Sequence, residues 1–193
     1  MFKYKYILVY LFILASISGV YFQVVHFDFV NFDDNDYVYQ NKIVKQGITK
    51  EGILWAFKIT DHPKTYWHPL TWLSHMIDCE LFGQNAGMHH LTNVLIHVMN
   101  AMLLFMVLNR MTTDTWKSAL VAFLFALHPV NVDTVAWVSE RKNLLSTFFW
   151  MITMLCYVNY TRKKNVVMYL TALLTFLLGL LTKPMLVTLP FVF

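Results

Sequence analysis

The sequence predicts an all-α protein, a multi-pass transmembrane helical bundle of about five complete spans plus the start of a sixth. Of its 193 residues, 58% are hydrophobic and 13% charged, where a soluble domain carries about 25% charged residues. The apolar residues lie in long blocks rather than short periodic stripes, as in a chain whose solvent is the bilayer. The net charge of +4 is small, and its distribution along the chain is more telling than its sum. With no basic patch, the chain is not expected to bind nucleic acid. Cys79 and Cys156 fall in different settings and are not expected to pair.

Residues 6–25 carry no charge and suffice to cross a membrane. Lys3 and Lys5 before them suit a signal peptide as well as an anchor, with Ser16-Ile-Ser18 as a cleavage site. The apolar run continues past that point, which favours an uncleaved anchor. Further spans are read at 91–108, 143–160 and 166–181. The short run 118–127 stops at His128-Pro129, and charge decides its reading. If it crosses, Lys3, Lys5, Arg110, Lys117, Arg162, Lys163 and Lys164 share the cytoplasmic side, leaving Arg141, Lys142 and Lys183 in short outside segments. Residues 185–193 make about half a crossing, so the chain reads as a truncated protein with its N-terminus cytoplasmic. Its outside loops run from about 26 to 90 and from 128 to 142, and a bacterial inner membrane is preferred over the endoplasmic reticulum.

The first loop opens with Asn31-Phe-Asp-Asp-Asn-Asp-Tyr37. Its carboxylates Asp33, Asp34 and Asp36 would repel, so that one keeps its proton to higher pH and serves as a base. A solvated turn is the plainer reading. Thr65 to Phe82 follows, with Pro69 suited to a first helical turn. Leu70, Leu73, Ile77 and Leu81 would line one face and His68, Trp72, His75 and Cys79 another. That pattern suggests an amphipathic helix on the membrane interface, its tryptophans at headgroup level. His75 and Cys79 are spaced for a divalent metal, but two ligands do not make a site, and no cofactor is called for.

In the second loop, Pro129 suits a helix start, with Asp133, Trp137 and Arg141 at i, i+4 and i+8. Arg141 and Lys142 either reach toward lipid headgroups or grip a phosphate, for which arginine's planar fork is well shaped. Lys183, beside Pro184, carries the same two readings. Within the bilayer, Asn93, His97 and Asn100 share one strip of a helix and are expected to hold helices together.

Four strings then carry a resemblance: Asn31-Phe-Asp-Asp-Asn-Asp-Tyr-Val38, Tyr66-Trp-His-Pro-Leu-Thr-Trp72, His90-Leu-Thr-Asn-Val-Leu-Ile-His-Val-Met-Asn-Ala101, and His128-Pro-Val-Asn-Val-Asp-Thr-Val-Ala-Trp-Val-Ser-Glu-Arg-Lys-Asn-Leu-Leu-Ser146. In order and nearly throughout, the chain resembles the transmembrane and tetratricopeptide-repeat (TPR) O-mannosyltransferase-like family of the GT-C superfamily. The resemblance implies residues 1–193 as the N-terminal part of a GT-C-like membrane domain, without the family's later helices and TPR repeats. It implies transfer of a hexose such as mannose from a polyprenyl-phosphate donor, drawn from the membrane lipid, to a protein or glycan hydroxyl. Asp33 and Asp34 correspond to the family's acidic motif, with Asp34 favoured as base and Arg141 and Lys142 on the donor phosphate. His128, Asp133, Glu140 and His90 are supporting residues, Asp133 standing where relatives often carry Glu. The Asp34-Asn-Asp36 string also mimics a metal-binding D-x-D, though its loop faces away from cytoplasmic nucleotide sugars. A non-catalytic membrane scaffold is the rival reading. A transporter is disfavoured, because costly intramembrane charges are missing from the spans as read.

Overall fold

The computed structural model describes residues 2–59 and 66–192, with side chains from Tyr4 onward. The Lys3 side chain and Thr65, two residues used in the sequence reading, lie outside that description. Among the described residues there are eight α-helices and no strand. They are α1 (Phe2–Tyr21), α2 (Lys50–Phe57), α3 (Pro69–Phe82), α4 (Ala86–Thr112), α5 (Thr115–Leu127), α6 (Asn131–Ala136), α7 (Arg141–Lys163) and α8 (Val166–Leu180).

Three segments are long and apolar enough to cross a membrane: Tyr4–His26, which is α1 with its 3₁₀ extension, α4, and Val138–Lys163, which contains α7. Helices α5 and α8 are apolar but have only 13 and 15 residues. At 1.5 Å per residue they reach about 20 and 23 Å, short of a ~30 Å hydrocarbon core. The expected five spans therefore comprise three of crossing length and two shorter ones. Capping explains the shortness of α5. The Asp114 side chain accepts from the Lys117 backbone N–H at 3.1 Å at one end, and His128-Pro129 stops the helix at the other. The expected sixth helix is instead a 3₁₀ stretch, Pro184–Val192, with Pro190 inside it. Proline lacks the N–H that an α-helical continuation needs.

Helix α4 is the centre of the bundle. Half of its most apolar window is buried, against 28% for α1 and 17% for α7. Val9, Ile13, Ile17 and Tyr21 of α1 pack with Val94, Val98, Ala101 and Phe105 of α4 and with Ala119, Ala122 and Ala126 of α5. The alanine stripe brings the backbones close, as small residues do where lipid removes the hydrophobic drive to associate. Gly87 serves the same purpose at the α4 N-terminus, where an added Cβ would lie 2.1 Å from the Val25 carbonyl oxygen.

The polar strip of α4 holds helices together as expected. Asn93 Nδ2 donates to the Trp137 carbonyl at 2.8 Å and Asn100 Nδ2 to the Leu144 carbonyl at 2.9 Å, while His97 Nε2 meets the Ala126 carbonyl at 3.0 Å. Each such bond contributes about 0.6 kcal/mol on average in membrane proteins. At the other end, Arg162 donates to the Arg110 carbonyl, tying α7 to α4.

A second core underlies the loops: Tyr37, Val38, Val44, Ala56, Trp72, Met76, Cys79 and Val138. Helix α3 forms as expected, with Pro69 in its first turn, and its His68, Trp72, His75 and Cys79 face is the buried one. Trp72 is thus a core residue stacked on Tyr37, with ring centroids 4.6 Å apart. Ile77 and Leu81 are left exposed on the opposite face. The sequence reading also missed α2, although Thr49 is a sound cap that accepts from the Gly52 N–H at 2.9 Å.

Candidate active site

The loop that holds Asp34 and the loop that holds Ser139 meet at one end of the bundle, and Asp34 joins them. Its carboxylate is buried. Oδ2 accepts from the Val30 N–H at 2.9 Å and Oδ1 from the Ser139 N–H at 2.8 Å. Beyond Asp34 the chain makes one π-helical turn, Asn35–Tyr39, whose first bonds run from the Asp36 and Tyr37 N–H groups to the Asp33 carbonyl. That turn carries Tyr37 inward and leaves the Asp33 side chain 40% exposed.

Lys142 lies over this surface. Its Nζ is 2.8 Å from Glu140 Oε1 and 3.9 Å from Asp33 Oδ2. The ammonium also sits 5.1 Å from the Tyr37 ring centroid and 6.0 Å from that of Trp137, both within cation–π range. The Tyr37 hydroxyl and His68 Nε2 share a bond of 2.7 Å. Burial, reinforced by the Asp33 and Glu140 charges, raises the Tyr37 phenol above its ordinary value, so it keeps its proton. An acid, a cation and a second acid thus stand together at this end of the bundle.

Arg141 points the other way and is wholly buried. Nε donates to Asn93 Oδ1 at 2.8 Å, Nη1 to Asp78 Oδ2 at 2.5 Å and Nη2 to the His89 carbonyl at 2.7 Å. The Asp78 carboxylate also accepts from Thr92 Oγ1 at 3.1 Å. The fork expected at a phosphate is therefore filled by protein groups. The expected helix carrying Asp133, Trp137 and Arg141 in series is broken as well. Helix α6 ends at Ala136, Trp137 is extended, and a 3₁₀ turn, Val138–Glu140, precedes α7.

The supporting residues divide. Glu140 is part of the surface group. His90 is buried, with Nε2 3.2 Å from the Asp28 carbonyl, and holds the start of the first loop. His128 is exposed and accepts from the Val130 N–H at 3.2 Å, a local turn contact. Asp133 is exposed and lines a neighbouring cleft of about 410 Å³ with Phe27, Phe32 and Trp137.

Sequence reasoning passed over Asp78 and Asn143. Asp78 falls three residues after His75, on the buried face of α3, and an acid there calls for a buried cation. Asn143 Nδ2 donates to Glu140 Oε2, and its Oδ1 accepts from Lys183 Nζ. His75 is also fully buried, and neither ring nitrogen has a hydrogen-bond partner among the described residues. Among those residues no three His, Cys, Asp or Glu side chains are grouped to hold a metal.

Comparison with known proteins supports the resemblance carried by the motifs. The chain is 28% identical over 97 residues to protein O-mannosyl-transferase TMTC2 of Mus musculus, covering 50% of this chain and 12% of the relative. It is 30% identical over 112 residues to TMTC3 of Mus musculus, covering 58% and 12%. With TMTC4 of Homo sapiens it is 34% identical over 123 residues, covering 55% and 16%. The chain thus matches 12–16% of the length of these three relatives. No protein-family model matches it, and no solved structure does.

Proposed function

We propose that this chain, similar to protein O-mannosyl-transferases over about half its length, is the N-terminal membrane portion of a GT-C-type glycosyltransferase. The whole protein transfers a sugar, mannose by analogy with the relatives' names, from a polyprenyl-phosphate donor to a hydroxyl acceptor on a protein or glycan. The reaction takes place on the extracytoplasmic face, with the N-terminus cytoplasmic and TPR repeats following later membrane helices. The observation that carries the reading is the Asp33, Lys142 and Glu140 group, assembled from two loops at the end of a membrane bundle.

The chemistry needs one base and one cation. The acceptor O–H gives its proton to a carboxylate while its oxygen bonds to the sugar's anomeric carbon. The bond from that carbon to the phosphate oxygen breaks, and the phosphate leaves with the electron pair. A departing phosphate is a stable anion that needs a cation rather than a general acid, unlike a glycosidase leaving group. Asp33, exposed beside Lys142, is the better-placed base of the two aspartates, because both oxygens of Asp34 already accept backbone N–H groups. Lys142 is the cation nearest that base. Arg141, whose donors are engaged inside the protein, acts as a positioning residue that fixes the start of α7.

The test is turnover by the full-length protein with a polyprenyl-phosphate hexose and a hydroxyl acceptor. Asp33→Asn should abolish most transfer while donor binding persists. Full activity in Asp33→Asn and Lys142→Gln would remove these two residues from the chemistry, and no transfer by the unaltered full-length protein would favour the scaffold reading.

A further inference from the structure

Asp34 fixes two stretches of chain against each other. Its carboxylate accepts from the Val30 N–H on one side and the Ser139 N–H on the other. The residues beside those two anchors wall a cleft of about 410 Å³, with Phe27, Val30 and Phe32 facing Val132, Asp133 and Trp137. Phe32 is 68% exposed, although its ring meets that of Trp137 with centroids 5.8 Å apart. Phe27, Val30 and Val132 are exposed as well. An open apolar patch of this kind marks a surface that something covers. Asp133 is the one charged side chain in the lining, and it is in no ion pair among the described residues. Lipid is a poor occupant, because a carboxylate turned toward lipid is costly. A sugar is a poor one too, since a single carboxylate among apolar groups leaves most of its hydroxyls unpaired. A large apolar side chain with a cation beside it suits both the walls and the charge.

The cleft adjoins the proposed reaction centre. Phe32 directly precedes Asp33, and the Trp137 ring beside it also lies 6.0 Å from Lys142 Nζ. That ammonium is in turn 3.9 Å from Asp33 Oδ2. Cleft and base are thus no more than about 10 Å apart, the reach of three extended residues. We propose that this cleft binds the acceptor, and that the acceptor is a polypeptide. The segment seats an aromatic or large aliphatic side chain in the cleft and pairs a neighbouring lysine or arginine with Asp133. A serine or threonine about three residues along the same segment then reaches Asp33. The proposal rests on the glycosyltransferase reading and names its substrate class. It also gives Asp34 a task beside the base, as the positioning residue that holds both walls of the acceptor cleft.

The experiment uses the full-length protein in nanodiscs and a fluorescein-labelled peptide holding a tryptophan, an adjacent arginine and a threonine about three residues away. Fluorescence anisotropy reads its binding with no sugar donor present, so the result is independent of transfer. Replacing the peptide's tryptophan by alanine should weaken binding roughly 10–100-fold, the loss expected when one large apolar side chain is no longer buried. Replacing its arginine by glutamate should weaken binding roughly 2–5-fold, since the ion pair is solvent-exposed. Asp133→Lys should reverse that preference in favour of the glutamate peptide, an outcome that damage to the fold cannot produce. A benzophenone in place of the tryptophan should crosslink to residues 27–32 and 132–137. Equal binding of the two peptides, a preference unaltered in Asp133→Lys, or crosslinks elsewhere overturns the proposal. So does displacement of the peptide by methyl mannoside, which would make the cleft a glycan site. Absence of binding, because lipid or another part of the protein fills the cleft, overturns it too. If no peptide binds there but Asp33→Asn still abolishes transfer, only the cleft proposal falls. Peptide held there by a protein with no transferase activity would retain a peptide site and remove the transferase reading.

Discussion

Arg141 and Asp78 form a buried ion pair 2.5 Å apart, across 63 residues of sequence. The pair joins the start of α7 to α3, so a short helix and one long and apolar enough to cross a membrane share one electrostatic joint. Removing one partner of such a pair leaves a lone buried charge, at a cost of roughly 3–5 kcal/mol. Asp78→Asn should therefore lower the unfolding midpoint of the protein in detergent by many degrees. The double replacement Asp78→Leu with Arg141→Met should lose less than the sum of the two single changes, because no charge is stranded. An unchanged midpoint in Asp78→Asn would deny the joint its structural role.

The two neighbouring aspartates should separate by the kind of damage they cause. Asp33→Asn removes an exposed carboxylate and should reduce turnover by roughly 10²–10⁴-fold, the usual contribution of a general base, with expression and melting unchanged. Asp34→Asn replaces an acceptor-only group that receives two backbone N–H bonds, so it should lower melting temperature as well as turnover. If Asp34→Asn melts like the wild type and loses more activity than Asp33→Asn, the base moves back to Asp34.

His75 predicts an acid limit. Burial chiefly, then the Arg141, His89, Lys142 and His68 charges, lower its pKa well below the ordinary value of 6.5. The unfolded chain then binds a proton more readily than the native one below pH about 6.5. His75's contribution to stability is thus full above that pH and declines as the pH falls below it. His75→Leu should flatten the decline between pH 6.5 and 5 without loss of stability at pH 8, since neither ring nitrogen has a hydrogen bond to lose. Unfolding midpoints measured across that range will show whether the slope belongs to His75.

Topology is open to cysteine labelling in whole cells. Cysteines placed at Gln46 and Pro129 should react with an impermeant maleimide from outside, and those at Thr113 and Lys163 only after lysis. All four positions are exposed. Native Cys79 should stay silent, because burial and the neighbouring Asp78 charge push its thiol up to about 11. Labelling of Lys163→Cys from outside would mean that α5 does not cross and that everything after it is inverted.

The helices were legible because hydrophobic blocks and their caps are local properties. Even the α4 strip could be read, since three polar residues spaced along one helix face need partners. The lengths of α5 and α8 were harder, because charge asymmetry places loops on sides and says nothing about how far a helix runs. At the site, the sequence offered Asp33 and Asp34 as near equals. What distinguishes them is the Ser139 N–H, which no window around residue 34 contains. The same limit hid the fate of Arg141: a cation before a span looks outward until Asp78, His89 and Asn93 converge on it. Trp137 is extended where a helix was expected.

The bond between Asp34 and Ser139 also has a meaning in time. Its two ends lie 105 residues apart, so a chain emerging from the ribosome completes Asp34 long before its partner exists. At synthesis rates of about 5–20 residues per second, the delay is roughly 5–20 s. Throughout that interval the first loop has been made but lacks its latch, a window in which a chaperone has access to it. Biogenesis, and not only the finished structure, would then feel the loss of a single carboxylate.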